Sequence, residues 1–176
     1  MTPYSRIEYK NAYFSKSNDP VEKARIFLLL CWQGYNSRTN GYKPGWKNDV
    51  NGREASYAVK AWNRLPETII PIIRRLKDVQ IENMAAVDLI KRFNRHNVFI
   101  YADPPYVLST RQGRAYKHEI TDDDHIEFLQ TMCKHKGPAI ISGYKNEIYS
   151  KYLHDWYSES IQTTSENGSV RVETIW

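Results

Sequence analysis

The stretch NVFIYADPPYVLSTR, residues 97–111, decides how this chain folds. Its apolar run, Val98 to Ala102, predicts a buried strand, and the strand runs straight into Asp103, Pro104, Pro105 and Tyr106. A strand end needs only a turn, and two successive prolines do more than turn it. Each fixes φ at about −65° and removes an N–H donor, so the segment presents carbonyls in a stiff frame. Asp103, which precedes a proline, is held extended. The product is a carboxylate and a proline carbonyl, both acceptors, beside an aromatic face. Average residue usage would place Asp-Pro-Pro-Tyr in a chain of this length by chance about once in a thousand. The other reading of the tetrapeptide is a rigid turn with no chemistry.

Outward from this strand the pattern alternates. VQIEN (79–83) reads as a short strand and AAVDLIKRF as a helix. On the far side, DDDHIEFLQTMCKHK reads as an acid-capped helix, GPAIISGY as a strand and NEIYSKYL as a helix. The last twenty residues alternate around Asn167-Gly168, a hairpin signal. Strands alternating with helices give an α/β sheet, mostly parallel and ending in an antiparallel pair. A right-handed crossover would lay 79–83 parallel to 98–102; otherwise a second chain is expected to cover that edge. In such sheets ligands bind beyond the carboxyl ends of the strands, where Asp103 to Tyr106 stands.

The first half is different. Asp19, Pro20 and Glu22 mark a helix start with the elements of a capping box. GYNSRTNGYKPGWKNDVNGRE (34–54) then dissolves into Gly, Asn, aromatics and cations, a long loop. Helix resumes near SYAVKAWNRL, with Pro66 restarting it and Pro71 kinking it.

The totals bound the function. With 176 residues, 25 Lys+Arg against 20 Asp+Glu and a net charge of +5, the chain tolerates nucleic acid as a partner without requiring it. Thirteen Tyr and five Trp suit surfaces that grip a ring. Two distant cysteines argue against a disulfide framework or zinc site, the histidines lack ligand spacing, and no metal is expected. The opening residues lack a signal peptide's apolar core and the run IFLLLCW is far short of a membrane span, so a cytoplasmic protein is expected.

Two acceptors beside a ring suit an amino group attached to a flat ring. Such an amine is a poor nucleophile because its lone pair is delocalised. Accepting both its hydrogens pulls the nitrogen towards tetrahedral geometry and frees the lone pair to attack a methyl carried on a sulfonium. A base in duplex DNA must leave the stack for this, at a cost that stacking on Tyr106 partly offsets.

On these residues the chain resembles the adenine-N6 DNA methyltransferases of the Dam type over nearly its whole length. DPPY is similar to their catalytic motif, STRQGRAYKHEIT to their mobile loop near the target base, and AIISGY to the strand that follows. The closing hairpin resembles their reversed final strands. CWQGYNSRTNGYKPGWKND resembles the target-recognition lobe of phage and restriction-modification members. The resemblance implies a partial doubly wound, Rossmann-like methyltransferase sheet ending in an antiparallel hairpin, with an N-terminal helical lobe. Residues 1–78 would be the target-recognition lobe and 79–176 the C-terminal part of the catalytic domain. It implies S-adenosylmethionine as cofactor and double-stranded DNA as partner. Asp103, Pro104, Pro105 and Tyr106 would be catalytic, and Asn83 and Asp103 would touch the cofactor. Arg38, Lys43, Trp46, Lys47, Arg53, Arg111, Arg114 and Lys117 would meet DNA.

One departure stands out. The family has a strand ending in an FxGxG-type loop that holds the methionine part of the cofactor, and the eight glycines here nowhere form it. The chain therefore resembles the C-terminal portion of such an enzyme, and an N-terminal segment or a second chain is expected to complete the sheet. An inactive DNA-binding remnant is the alternative. A methyltransferase acting on protein amides or RNA, where Asn commonly replaces the acid, is disfavoured by Asp103.

Overall fold

A computed structural model of the chain describes residues 2–35, 43–49, 56–111, 113–114, 116–164 and 170–176. The chain divides into two compact units, Met1–Ile81 and Glu82–Trp176.

In the first unit, α1 (Arg6–Ala12) and α2 (Pro20–Gln33) pack through Tyr9, Ala12 and Leu29. Asp19 caps α2, accepting from the N–H groups of Val21 and Glu22 at 3.2 Å each. The reciprocal half of the expected capping box does not form. The Asp19 N–H goes to Ser17 Oγ, and the Glu22 carboxylate closes on the Arg25 guanidinium at 2.6 and 2.7 Å. The centre of the unit is the fully buried Gln33. Its Oε1 accepts from Ser5 N–H and from Trp46 Nε1, and its Nε2 donates to the Pro3 carbonyl. Gly34 forms an antiparallel bridge with Trp46. A Cβ on Gly34 would lie 2.6 Å from the Tyr9 hydroxyl and 2.8 Å from the Leu30 carbonyl, so glycine is required by closeness of approach.

The helix α3 (Tyr57–Leu76) runs unbroken through Pro66 and Pro71, where a restart at Pro66 was expected. Both prolines are exposed, so water can satisfy the carbonyls left without an N–H partner. Leu65 is its one buried residue.

The second unit holds α4 (Ala86–Arg92), β1 (Ile100–Ala102), a 3-10 turn (Leu108–Thr110), α5 (Asp122–Cys133), β2 (Ala139–Gly143), α6 (Glu147–Tyr152), β3 (Glu159–Thr164) and β4 (Val170–Ile175). It is a mixed α/β fold around an open four-stranded sheet of order β1-β2-β4-β3. β1 and β2 are parallel, with Ala102 opposite Ile141, and β4 is antiparallel to both β2 and β3. The hairpin register runs from Glu159↔Ile175 to Thr164↔Val170; its expected Asn167-Gly168 turn lies outside the described residues. Thr121 and Asp124 close a capping box at the head of α5. Phe128, Leu129 and Met132 of α5 meet Ile141, Tyr149, Leu153 and Trp176 in the core.

Two expectations fail on this sheet. Residues 79–83 form no strand, and among the described residues β1 is paired with β2 alone. Nor is β1 buried: Phe99 is 57% exposed and Tyr101 62%. Apolar sequence alone does not bury a strand; an edge and a face must be covered, and here one of each is bare.

Candidate active site

The parallel register that sets Ala102 opposite Ile141 also brings the first residue past β1, Asp103, beside Ser142 of β2. The Ser142 hydroxyl donates to Asp103 Oδ1 at 2.8 Å, with a longer approach of 3.4 Å to the Ala102 carbonyl. Ser142 is buried while Asp103 is exposed, and their hydrogen bond engages Oδ1 of the carboxylate. Pro104 and Pro105 are half-buried, and Val107, almost fully buried, anchors the turn in the core.

Tyr106 is half-buried and stands edge-on to Tyr144, which follows β2, at 4.6 Å between ring centres and 71° between planes. The Arg171 guanidinium of β4 lies 5.9 Å above the Tyr144 ring and donates to the Thr110 carbonyl at 3.4 Å. Burial pushes the Tyr106 phenol up to about 12, and the Glu173 and Asp103 carboxylates add to that rise. Tyr106 therefore stays a neutral ring and hydroxyl donor at any physiological pH.

Behind the turn, Arg111 donates from Nε to the Tyr106 carbonyl at 2.7 Å. Its guanidinium pairs bidentately with Glu119, which also accepts from the Tyr116 N–H at 2.9 Å, and both side chains are almost buried. Arg111 is thus placed as a brace between the turn and the loop after it. Arg114 and Lys117 lie on the exposed part of that loop.

On the other side of β1 a cavity of about 670 Å³ opens against Asp103, Pro104 and Pro105. It runs along β1 between the start of α4 and α5, and is walled mostly by carbon from residues such as Val87, Ile90 and Phe128. Its carboxylates are Asp88, Asp103, Asp124 and Glu127, and among the described residues no Lys, Arg or Gly lines it. That set suits a flat ring and a cation, which fits the adenosyl and sulfonium parts of S-adenosylmethionine. It does not fit the carboxylate of the methionine part, for which no cation or glycine turn is present on these walls. Asn83 is exposed and is not among the lining residues, which begin at Ala85.

In the first unit, Lys43 Nζ sits 5.3 Å from the Tyr13 ring centre and 4.9 Å from that of Phe14. Trp46 donates to Gln33 and carries Arg6 over its ring at 5.1 Å. Lys47 is tied through its backbone, donating to the Gln33 carbonyl at 2.7 Å and accepting from the Tyr4 hydroxyl at 2.6 Å. Arg38 and Arg53 lie outside the described residues.

The residues that sequence reasoning missed are Ser142, Tyr144 and Arg171. A signal for the first two existed: they close a strand parallel to β1, and parallel neighbours end on the same side of a sheet. Arg171 had none, because it reaches the site through the register of a closing hairpin. Among the described residues no group of His, Cys, Asp or Glu could hold a metal ion, and no helix is long and apolar enough to cross a membrane.

The profile of the D12 class N6 adenine-specific DNA methyltransferases matches residues 4–170. No curated protein matches the chain. With the match spanning nearly the whole sequence, the chain belongs to this family of DNA adenine methyltransferases.

Proposed function

We propose that this chain carries the base-binding side of a site that transfers the methyl of S-adenosylmethionine to N6 of adenine in double-stranded DNA. The observation that carries this reading is the Asp103 carboxylate, held by Ser142 through one oxygen at the mouth of a turn braced by Arg111. Asp103 Oδ2 and the Pro104 carbonyl are the two acceptors for the adenine amine. Tyr106, kept neutral, offers its ring to the base, and Tyr144 fixes the tilt of that ring. Asp103 acts as an acceptor rather than a strong base, since an aromatic amine loses its proton only after charge has developed on it.

S-adenosylmethionine, when bound, supplies an electrophilic methyl on a sulfonium. Asp103, Pro104 and the carbon walls of the 670 Å³ cavity would hold its adenosyl and sulfonium parts, with the surrounding carboxylates favouring the positive charge. Asn83 would contact it from outside those walls. Arg38, Lys43, Trp46, Lys47 and Arg53 of the first unit, with Arg114 and Lys117 after the catalytic turn, supply the contacts to DNA. Within the doubly wound sheet this reading assigns to the second unit, a further segment, covalent or in trans, pairs with the bare edge of β1.

A second reading has its own support: a DNA-binding remnant without activity. It is favoured by cavity walls that, among the described residues, carry carbon and carboxylates but no cation or glycine. Labelled-methyl transfer to adenine in duplex DNA separates the two. Activity that Asp103→Ala abolishes supports the first. Activity that survives Asp103→Ala rejects the catalytic assignment, and a wild-type chain at background with retained DNA binding favours the remnant.

A further inference from the structure

A second cavity, of about 570 Å³, lies wholly within the first unit, between α1 and the segment 43–48. Its aromatic walls include Tyr13, Phe14 and Trp46, and Arg6, Lys10 and Lys43 supply three cations. Among the described residues no carboxylate lines it. The electrostatic preference is therefore for an anion, while much of the wall is aromatic ring.

Two of these cations are positioned. Arg6 lies over Trp46 at 5.1 Å, and Lys43 is shared between Tyr13 and Phe14 at 5.3 and 4.9 Å. Trp46 is in turn fixed by the buried Gln33. Phe14, by contrast, is 75% exposed and absent from the buried core of the unit. A large ring exposed to that degree, with a lysine on one face, contributes little to folding and is available for stacking.

Ring faces interleaved with cations are the chemistry that holds unpaired nucleotides: bases stack on the aromatics while phosphates meet the cations. A rigid duplex presents only its backbone and groove edges and has no free base face to offer such walls. We infer that this cavity is a binding site for an unpaired nucleotide of a DNA strand, its base on Phe14 and its phosphate between Lys43, Lys10 and Arg6. The inference rests on the DNA reading above and adds a second place, apart from the Asp103 turn, at which the chain takes a base out of the stack. Arg6, Lys10 and Phe14 carried no signal in the sequence, because α1 meets the loop segment only in the folded unit.

The test uses the full 176-residue chain at low salt. Fluorescence anisotropy follows a short labelled oligothymidine strand and, separately, a duplex of the same length. The single strand is expected to bind more tightly than the duplex. Phe14→Ala should weaken single-strand binding about tenfold with the salt dependence unchanged, as loss of one stacked base requires. Lys43→Gln should weaken it and lower the salt slope by about one counterion. Inorganic phosphate should compete far less well than thymidine monophosphate. If the duplex binds while Phe14→Ala has no effect, the inference falls and the DNA reading stands. If neither DNA binds, both fall for this unit. Equal competition by phosphate and the nucleotide would reduce the cavity to an anion site and overturn the base-stacking assignment.

Discussion

The two long sides of β1 have the same few residues between them and opposite fates. Towards β2, Ile100 donates to the Pro138 carbonyl at 3.0 Å, Ser142 holds Asp103, and Tyr144 meets Tyr106. On the other side no strand pairs among the described residues, and the Phe99 and Tyr101 rings stand in the open. The difference teaches that, among the described residues, the Asp103–Tyr106 turn is organised from the β2 side and from its own following loop. Among the described residues, Asp103 and Tyr106 are held by Ser142 of β2, by Tyr144 just after it and by Arg111 in the loop after the turn, while the cavity on the far side is walled mostly by carbon with four carboxylates.

The hardest blow to the furnished side is Asp103→Ala. In an assembly that methylates DNA, the rate should fall about 10²–10³-fold, the loss expected when one hydrogen-bond partner of a transition state is removed. Amide exchange sharpens the contrast between the two sides without any activity. Alternate residues of a parallel strand face alternate neighbours, so Tyr101 N–H points to the bare side. It should exchange at least about tenfold faster than that of Ile100, and slow on addition of any chain that pairs with that edge. Equal protection of the two amides would mean the edge is already covered. Tyr106→Ala should weaken capture of an extrahelical adenine by about 1–3 kcal/mol, read by fluorescence of a base analogue at the target position.

A smaller effect comes from beneath the turn. His125 is fully buried, with Nδ1 at 3.2 Å from the Tyr149 hydroxyl and, among the described residues, no hydrogen-bond partner for Nε2. Burial lowers its pKa, against the opposing pull of Asp122 and Asp124, while Arg111 adds to the lowering. The unfolded chain therefore binds this proton more readily than the folded one. Stability should be complete above about pH 6.5 and fall below it, by at most about 1.4 kcal/mol per pH unit. Urea unfolding between pH 7 and 5 measures this, and His125→Gln should flatten the dependence. An unchanged slope in that variant would place the acid sensitivity elsewhere.

What could be read from the sequence follows the range of the interactions. The Asp19 cap and the α5 start depend on neighbours a few residues away and formed as expected, whereas the strand before Asp103 formed over Ile100–Ala102 without the burial its apolar sequence implied. Asp-Pro-Pro-Tyr was legible because prolines dictate their own backbone. Residues 79–83 misled because their alternation is strand-like, yet a strand exists only where an edge receives it. Ser142 was legible only through the parallel pairing of its strand with β1, 39 residues from Asp103, and Arg171 was invisible because it reaches Thr110 by hairpin register across 61 residues of sequence.

The bridge between Gly34 and Trp46 has a consequence for how the first unit can change. Gln33 ties both sides of that bridge, its side chain accepting from Trp46 Nε1 and its carbonyl from the Lys47 N–H. Gln33→Ala is therefore expected to loosen both sides at once, and any side chain at Gly34 to push against the Tyr9 hydroxyl and the Leu30 carbonyl. The first unit is fastened at one point, like a clasp.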